Sequence, residues 1–156
     1  MINRLERLRD EVDMLIYDNC PGESRYFITH LYGVSQFCAL LALKRGLDTE
    51  LAAAAGMLHD IYQITEGVME DHAKKGAVQA EEILRYLRIY TEDEISVITA
   101  AISRHGKKRS VHEPYDEVLK DADVLQHCLY NTDYPVSDKE ADRYKNLLSE
   151  LGCADE

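Results

Sequence analysis

The sequence predicts an all-α fold, a single-domain helical bundle of about six to seven helices spanning residues 1–156. Three observations carry this. Apolar residues recur at three- and four-residue spacing through almost the whole chain. No stretch alternates with the period of two that a strand needs. Gly and Pro are scarce, eight and three in 156 residues, and no internal repeat or low-complexity segment interrupts the pattern.

The first helix, over residues 3–18, places Leu5, Leu8, Val12 and Leu15 on one face, and Cys20-Pro21-Gly22 punctuates it. A long second helix starts at Ser24, an expected N-cap, with Phe27, Leu31, Val34, Phe37, Cys38 and Leu41 as its stripe. His30 lies within that stripe, and Gly46 closes the helix. Asp48 or Thr49 opens a third helix that runs to about Asp60 or Tyr62, and its small residues Ala52 to Gly56 allow close approach of a neighbour. A fourth helix begins near Asp71, with His72, Gly76, Ala80, Ile83, Leu84 and Leu87 on one face. A glycine inside a helix costs about 1 kcal/mol relative to alanine, so a packing demand is expected at Gly76. Thr91-x-x-Glu94 is a capping box that opens a fifth helix, aligning Ile95, Ile98, Ile102 and His105 before Gly106. The sixth spans about residues 115–130 with Val118, Ala122, Leu125 and Leu129 inward, and Pro135 follows it. Ser137-x-x-Glu140 is expected to cap a last short helix ending at Gly152.

The length suits one domain with a substantial core. A net charge of −11 argues against coating a nucleic-acid polymer, which needs a basic face. It leaves room for a small phosphorylated ligand. No Cys-x-x-Cys spacing links Cys20, Cys38, Cys128 and Cys153, and Cys38 and Cys128 read as buried free thiols. The N-terminal run Met1 to Arg7 alternates charges and lacks a signal-peptide core, and no apolar run is read as a membrane span. A reduced, cytoplasmic setting without membrane contact is expected, and a homodimer is compatible with it.

The candidate site is an ordered set: His30, then the pair His59-Asp60, then His72, His105 and Asp123. A histidine on an apolar helical face is by default a hydrogen-bonded core residue. His30, His72 and His105, on three different helices, would each need a partner, because unpartnered buried imidazoles are costly. A shared metal supplies one. Imidazole with carboxylate and no thiolate suits Fe, Mn, Ni, Co or Zn in a catalytic site, with Mg a further option, and does not suit a closed structural zinc site. Six ligand candidates exceed what one ion with open positions needs, so one or two divalent ions are expected, with Asp60 bridging a pair. Asp121 and Asp123 compete for the last position, since each lies about 80–120° from the core face. Asp123 shares a side with His127, which would orient it. His112 reads as a loop residue. The basic cluster Arg104, Lys107, Lys108 and Arg109 follows a proposed ligand. It either complements a helix C-terminus or holds a substrate phosphate.

Taken together, His30 in Thr-His-Leu-Tyr-Gly-Val, His59-Asp60 in Gly-Met-Leu-His-Asp-Ile, Asp123 in Lys-Asp-Ala-Asp-Val-Leu, and the later His72 and His105 resemble the HD superfamily of metal-dependent phosphohydrolases. The resemblance covers about residues 25–130, and the two extra histidines match its two-metal branch. It implies that His30, His59, Asp60 and Asp123 bind a first ion and that His72 and His105 hold a second, with Asp60 shared. It further implies hydrolysis of a phosphoester or phosphoanhydride in a small, nucleotide-type substrate by metal-activated water, with Asp60 indispensable. Many relatives carry Lys or Arg soon after the His-Asp pair, whereas this chain reads Ile61-Tyr62-Gln63-Ile64-Thr65. The cation must then come from residues 104–109, or the metals grip phosphate alone. Two other readings of the same fold are a non-catalytic nucleotide- or metal-sensing module and a di-iron oxygenase.

Overall fold

The computed structural model describes residues 3–154, so Met1, Ile2, Asp155 and Glu156 lie outside the described residues. Seven helices of ten residues or more and one of six form the bundle, and no strand occurs among the described residues. They are α1 (Arg4–Asn19), α2 (Ser24–Arg45), α3 (Thr49–Leu58), α4 (Ile61–Glu66), α5 (His72–Leu87), α6 (Glu92–Arg104), α7 (Pro114–Tyr130) and α8 (Ala141–Glu150).

Helix α3 is the centre. Every residue from Ala52 to Leu58 is buried, and α1, α2, α6 and α7 pack around it. The small residues do what their size allows at Gly56, where an added Cβ would lie 2.7 Å from Ser35 Cα on α2. The expected packing demand at Gly76 is absent: a Cβ there would meet His59 O and Tyr62 Cβ at 3.6 Å, ordinary contact. Leu8, Val12 and Ile16 of α1, Leu31, Val34 and Leu41 of α2, and Ile98 and Ile102 of α6 complete the core. Leu129 departs from expectation and is 44% exposed near the C-terminal end of α7.

Local chemistry sets the boundaries. Asp48 caps α3 by accepting from Glu50 and Leu51 N–H groups. Gly46, at φ 69°, ends α2 in the left-handed conformation that glycine adopts without strain. Thr91 and Glu94 form the expected reciprocal capping box. Ser24 is not an N-cap. A 3-10 turn at Pro21–Glu23 runs into α2, and the Ser24 hydroxyl donates to the Pro21 carbonyl instead. The third helix also stops earlier than expected, at Leu58, and the chain re-enters helix at Ile61. His59 and Asp60 occupy the break. By length and apolar composition residues Pro21–Arg45 could cross a membrane, contrary to the sequence reading, but here this helix buries Phe27, Leu31 and Val34 in the bundle.

Candidate metal centre

Four imidazoles converge from four helices. His30 stands in α2, His59 caps the end of α3, His72 opens α5, and His105 caps the end of α6. Asp60 comes from the α3–α4 break and Asp123 from mid-α7. The break matters, because it turns adjacent residues His59 and Asp60 toward a common point.

In each ring, Nδ1 is occupied by an oxygen. His59 Nδ1 donates to Gly56 O at 2.8 Å, His72 to Met69 O at 2.8 Å, His105 to Ile102 O at 2.7 Å, and His30 to Gln126 Oε1 at 2.6 Å. A carbonyl oxygen can only accept, so Nδ1 carries the proton and, in the neutral ring, Nε2 carries the lone pair. Those lone-pair atoms face each other: His30 Nε2 and His59 Nε2 are 3.1 Å apart, as are His72 Nε2 and His105 Nε2. Two lone pairs at that distance repel unless a cation or a proton stands among them.

The carboxylates lie where such cations would need them. Asp60 Oδ2 is 3.3 Å from both His30 Nε2 and His59 Nε2, while Oδ1 is 3.3 Å from His105 Nε2 and 3.7 Å from His72 Nε2. Asp123 Oδ1 lies 3.5 Å from His30 Nε2 and is buried with no hydrogen-bond partner. Among the described residues, His30–His59–Asp60 and Asp60–His72–His105 each bring ligand atoms within 4.8 Å of one another. The donor set therefore fits one or two divalent ions, with Asp60 common to both groups. Oxygen and imidazole ligands without thiolate suit a transition metal.

The electrostatics agree. Burial opposes ionisation of Asp60, yet the facing His59, His105 and His30 hold its carboxyl well below the usual range. Burial likewise opposes ionisation of Asp123, and Lys108 and His59 override it. His59 is raised to about 10, burial being outweighed by Asp60 and then Asp123. His105 moves down, chiefly through burial. Both carboxylates are thus held ionised among the imidazoles, which favours positive charge at the centre.

Asp121, the rival of Asp123, points elsewhere, to Arg45 at 2.6 Å and Arg143 at 2.7 Å. His127 sits where expected, its Nε2 3.3 Å from Asp123 Oδ1, and its Nδ1 is held by Glu140 Oε1 at 2.8 Å. That bond to Glu140 raises the His127 imidazole above its ordinary range. Glu140 is consequently not the partner in a capping box with Ser137; the Ser137 hydroxyl donates to Glu140 Oε2, and α8 starts without a side-chain cap.

Of the four cations expected to face a substrate phosphate, only Lys108 lines the site cavity. After His105 the chain turns sharply, which aims residue 108 inward and leaves Lys107 and Arg109 exposed. Lys108 Nζ reaches His105 O at 2.7 Å and Asp123 Oδ2 at 2.5 Å. Arg104 is committed to Asp116 at 2.6 Å. His112 is more than a loop residue: its Nδ1 lies 2.6 Å from the ammonium of Lys120, a fully buried side chain.

The sequence reading missed four participants. Gln63 Nε2 donates to Asp60 Oδ1 at 3.2 Å, a neutral group three residues after the His-Asp pair. Gln126 holds His30, and Glu140 holds His127. Lys139 lines the cavity beside Lys108. Gln126 was discoverable, since it lies three residues beyond Asp123 on one helix and so shares its side. Nothing local marks Lys139 or Glu140, which reach the site only because α8 folds back on α7. The cavity itself is about 160 Å³, with Tyr26 and Met69 at its edge.

Comparison with known proteins bears on this arrangement. The family described as HD domain matches residues 27–127. The fold is similar to a crystal structure titled a predicted HD superfamily hydrolase from an uncultured Thermotogales bacterium. The two share 22% identity over 95% of this chain and 89% of that one, with a TM-score of 0.63.

Proposed function

The chain belongs to the HD-domain family, and from that membership and the site geometry we propose that it is a metal-dependent phosphohydrolase acting on a small phosphoester or phosphoanhydride. The observation that carries the reading is the pairing of imidazole lone pairs around Asp60, each ring locked by an oxygen at Nδ1. His30, His59, Asp60 and Asp123 would hold one divalent ion, and His72 and His105 a second shared through Asp60. Ions bound there would supply Lewis acidity toward a phosphoryl oxygen and activate water near neutral pH.

The protein's own groups do the positioning. Gln63 fixes the Asp60 carboxylate, and Lys108 fixes that of Asp123, with the His127 ring beside it. A cavity of about 160 Å³ suits a phosphoryl group better than a whole nucleotide, so the remainder of the substrate lies at the mouth. Lys108 and Lys139 bring positive charge to the cavity wall, where charge develops on the phosphoryl oxygens. The half-exposed ring of Tyr26 at the rim offers a stacking face for a nucleobase, which supports a nucleotide-type substrate.

Elemental analysis of the purified protein, with a nucleotide and phosphoester panel supplemented with Mn, Fe, Ni, Co, Mg or Zn, tests this reading. One or two metals per chain are expected, with phosphate release abolished in Asp60→Ala. Metal without turnover on any phosphate ester would overturn the hydrolase and leave a sensing module. Oxygen consumption by an iron-loaded sample would point to oxidation instead.

A further inference from the structure

Three of the four imidazoles take their orientation from the backbone: His59 from Gly56 O, His72 from Met69 O and His105 from Ile102 O. Each of those carbonyls lies three residues before its histidine, in the last turn of α3 and α6 for His59 and His105 and in the turn that leads into α5 for His72, so the local backbone supplies the acceptor. His30 differs. It stands in the middle of α2, where the carbonyls of the preceding turn are spent on the helix, and its only acceptor comes from another helix, Gln126 Oε1 at 2.6 Å.

We propose that Gln126 is a positioning residue for the metal centre, that it sets the tautomer and ring orientation of His30, and that Gly33 is the seat that admits it. The inference rests on the metal reading above. Gln126 is buried, and its side chain crosses from α7 to α2 at Gly33, one turn beyond His30. A Cβ on residue 33 would stand 2.9 Å from Gln126 Cγ, closer than real side chains approach. A side chain there would push Gln126 off the path by which its amide reaches the ring. On the outer side, Gly33 and Gln126 line a groove of about 360 Å³ with Thr29, Tyr32, Phe37 and Leu129. A displaced amide has room to swing into it. His30 is thus the one ligand whose lone pair depends on a side chain that can move.

The chemistry is that of an outer-shell hydrogen bond. An acceptor on Nδ1 keeps the proton there, directs the Nε2 lone pair inward and makes the ring a better donor, and removing such a partner weakens metal affinity by about 10–100-fold. Gln126→Met keeps the length of the side chain but offers no acceptor. Gln126→Glu keeps the acceptor. Gly33→Ala keeps Gln126 but blocks its seat, and as a glycine-to-alanine change within a helix it does not weaken the backbone.

The test is zinc titration of chelator-treated protein against a chromophoric competitor, with nitrogen-15 NMR of the His30 ring in the zinc-loaded protein and thermal unfolding as a control. Gln126→Met and Gly33→Ala are expected to lose about 10–100-fold in zinc affinity and the protected His30 Nδ1–H signal. Gln126→Glu should retain both, and Gly33→Ala should still unfold cooperatively, its gain in helix propensity set against the lost His30 hydrogen bond. Wild-type zinc affinity in Gln126→Met overturns this inference alone. Wild-type affinity with the signal kept in Gly33→Ala overturns the role of Gly33. A wild-type chain that takes up no zinc overturns the metal reading and this inference with it.

Discussion

Lys108 places its ammonium 2.5 Å from Asp123 Oδ2, and both side chains are more than nine-tenths buried. The lysine also donates to the carbonyl of His105, so one cation ties a proposed ligand of α7 to the turn that carries another. Arg143 of α8 secures that turn from outside, donating to the Lys108 carbonyl through Nε at 3.1 Å and Nη2 at 2.9 Å.

Lys108→Met should therefore damage fold and site together. Removing one member of a buried ion pair leaves an uncompensated charge, costing about 3 kcal/mol at the lower end of such losses because His59 and His127 remain near Asp123. For a chain of this size that is a fall of about 6–12 °C in Tm. Differential scanning calorimetry of metal-free protein reads it, and an unchanged Tm would show that Lys108 is solvated rather than paired.

Gly56 of α3 and Gly76 of α5 should respond in opposite directions. Gly56→Ala pushes a methyl against Ser35 Cα at 2.7 Å and Ser35 N at 2.9 Å, backbone atoms that cannot step aside. The overpacking costs about 3 kcal/mol, offset by about 1 kcal/mol of helix propensity. Gly76→Ala meets its neighbours at 3.6 Å and keeps the propensity gain. Urea denaturation should show the first variant destabilised by about 2 kcal/mol and the second stabilised by up to about 1 kcal/mol. The same sign for both would refute the packing account.

The contrast between Gly56 and Gly76 also marks where the sequence stops being legible. Periodicity predicts that both lie on buried helix faces, which they do, but which glycine a neighbouring backbone touches depends on how α2 crosses α3. The helices themselves were readable because apolar spacing, Asp48 and the Thr91–Glu94 box act within a few residues. The break at His59-Asp60 was not, because no proline or glycine marks it. Likewise Ser137 and Glu140 have capping-box spacing, and only the return of α8 onto α7 reveals that Glu140 serves His127.

Asp121 and Asp123 illustrate the same limit and yield a test. Both lie off the core face of α7 and differ by two positions, so one faces the histidines and the other the arginines of α2 and α8. Asp121→Asn should lower stability by about 1–2 kcal/mol, since Arg45 retains Glu150 and Arg143 retains Glu117, and should leave metal content unchanged. Asp123→Asn should deplete metal. Elemental analysis of the two purified variants decides between them, and metal loss in Asp121→Asn would reverse the assignment.

The pH response of the metal-free protein follows from His59 and its two carboxylates. Burial disfavours a charged His59, but Asp60 and Asp123 outweigh burial and raise it from 6.5 to about 10. A base raised on folding lends stability that is complete below its unfolded value and is lost as pH climbs toward the folded one. Asp60 and Asp123 act in the opposite sense: held well below 3.8, they lend stability that is complete above that value and lost as pH falls. The Tm of chelator-treated protein should thus fall at acid pH, where the two carboxylates and the down-shifted His105 act in the same sense, and fall again as pH climbs from 6.5 toward 10. Metal must displace the His59 proton to reach Nε2, so affinity should climb with pH through neutrality. Titration calorimetry at pH 7 in buffers of different ionisation enthalpy should report about one proton released by His59 as the site fills. Binding with no proton release would mean that His59 is already neutral in the metal-free protein, and the electrostatic account of the site would fail.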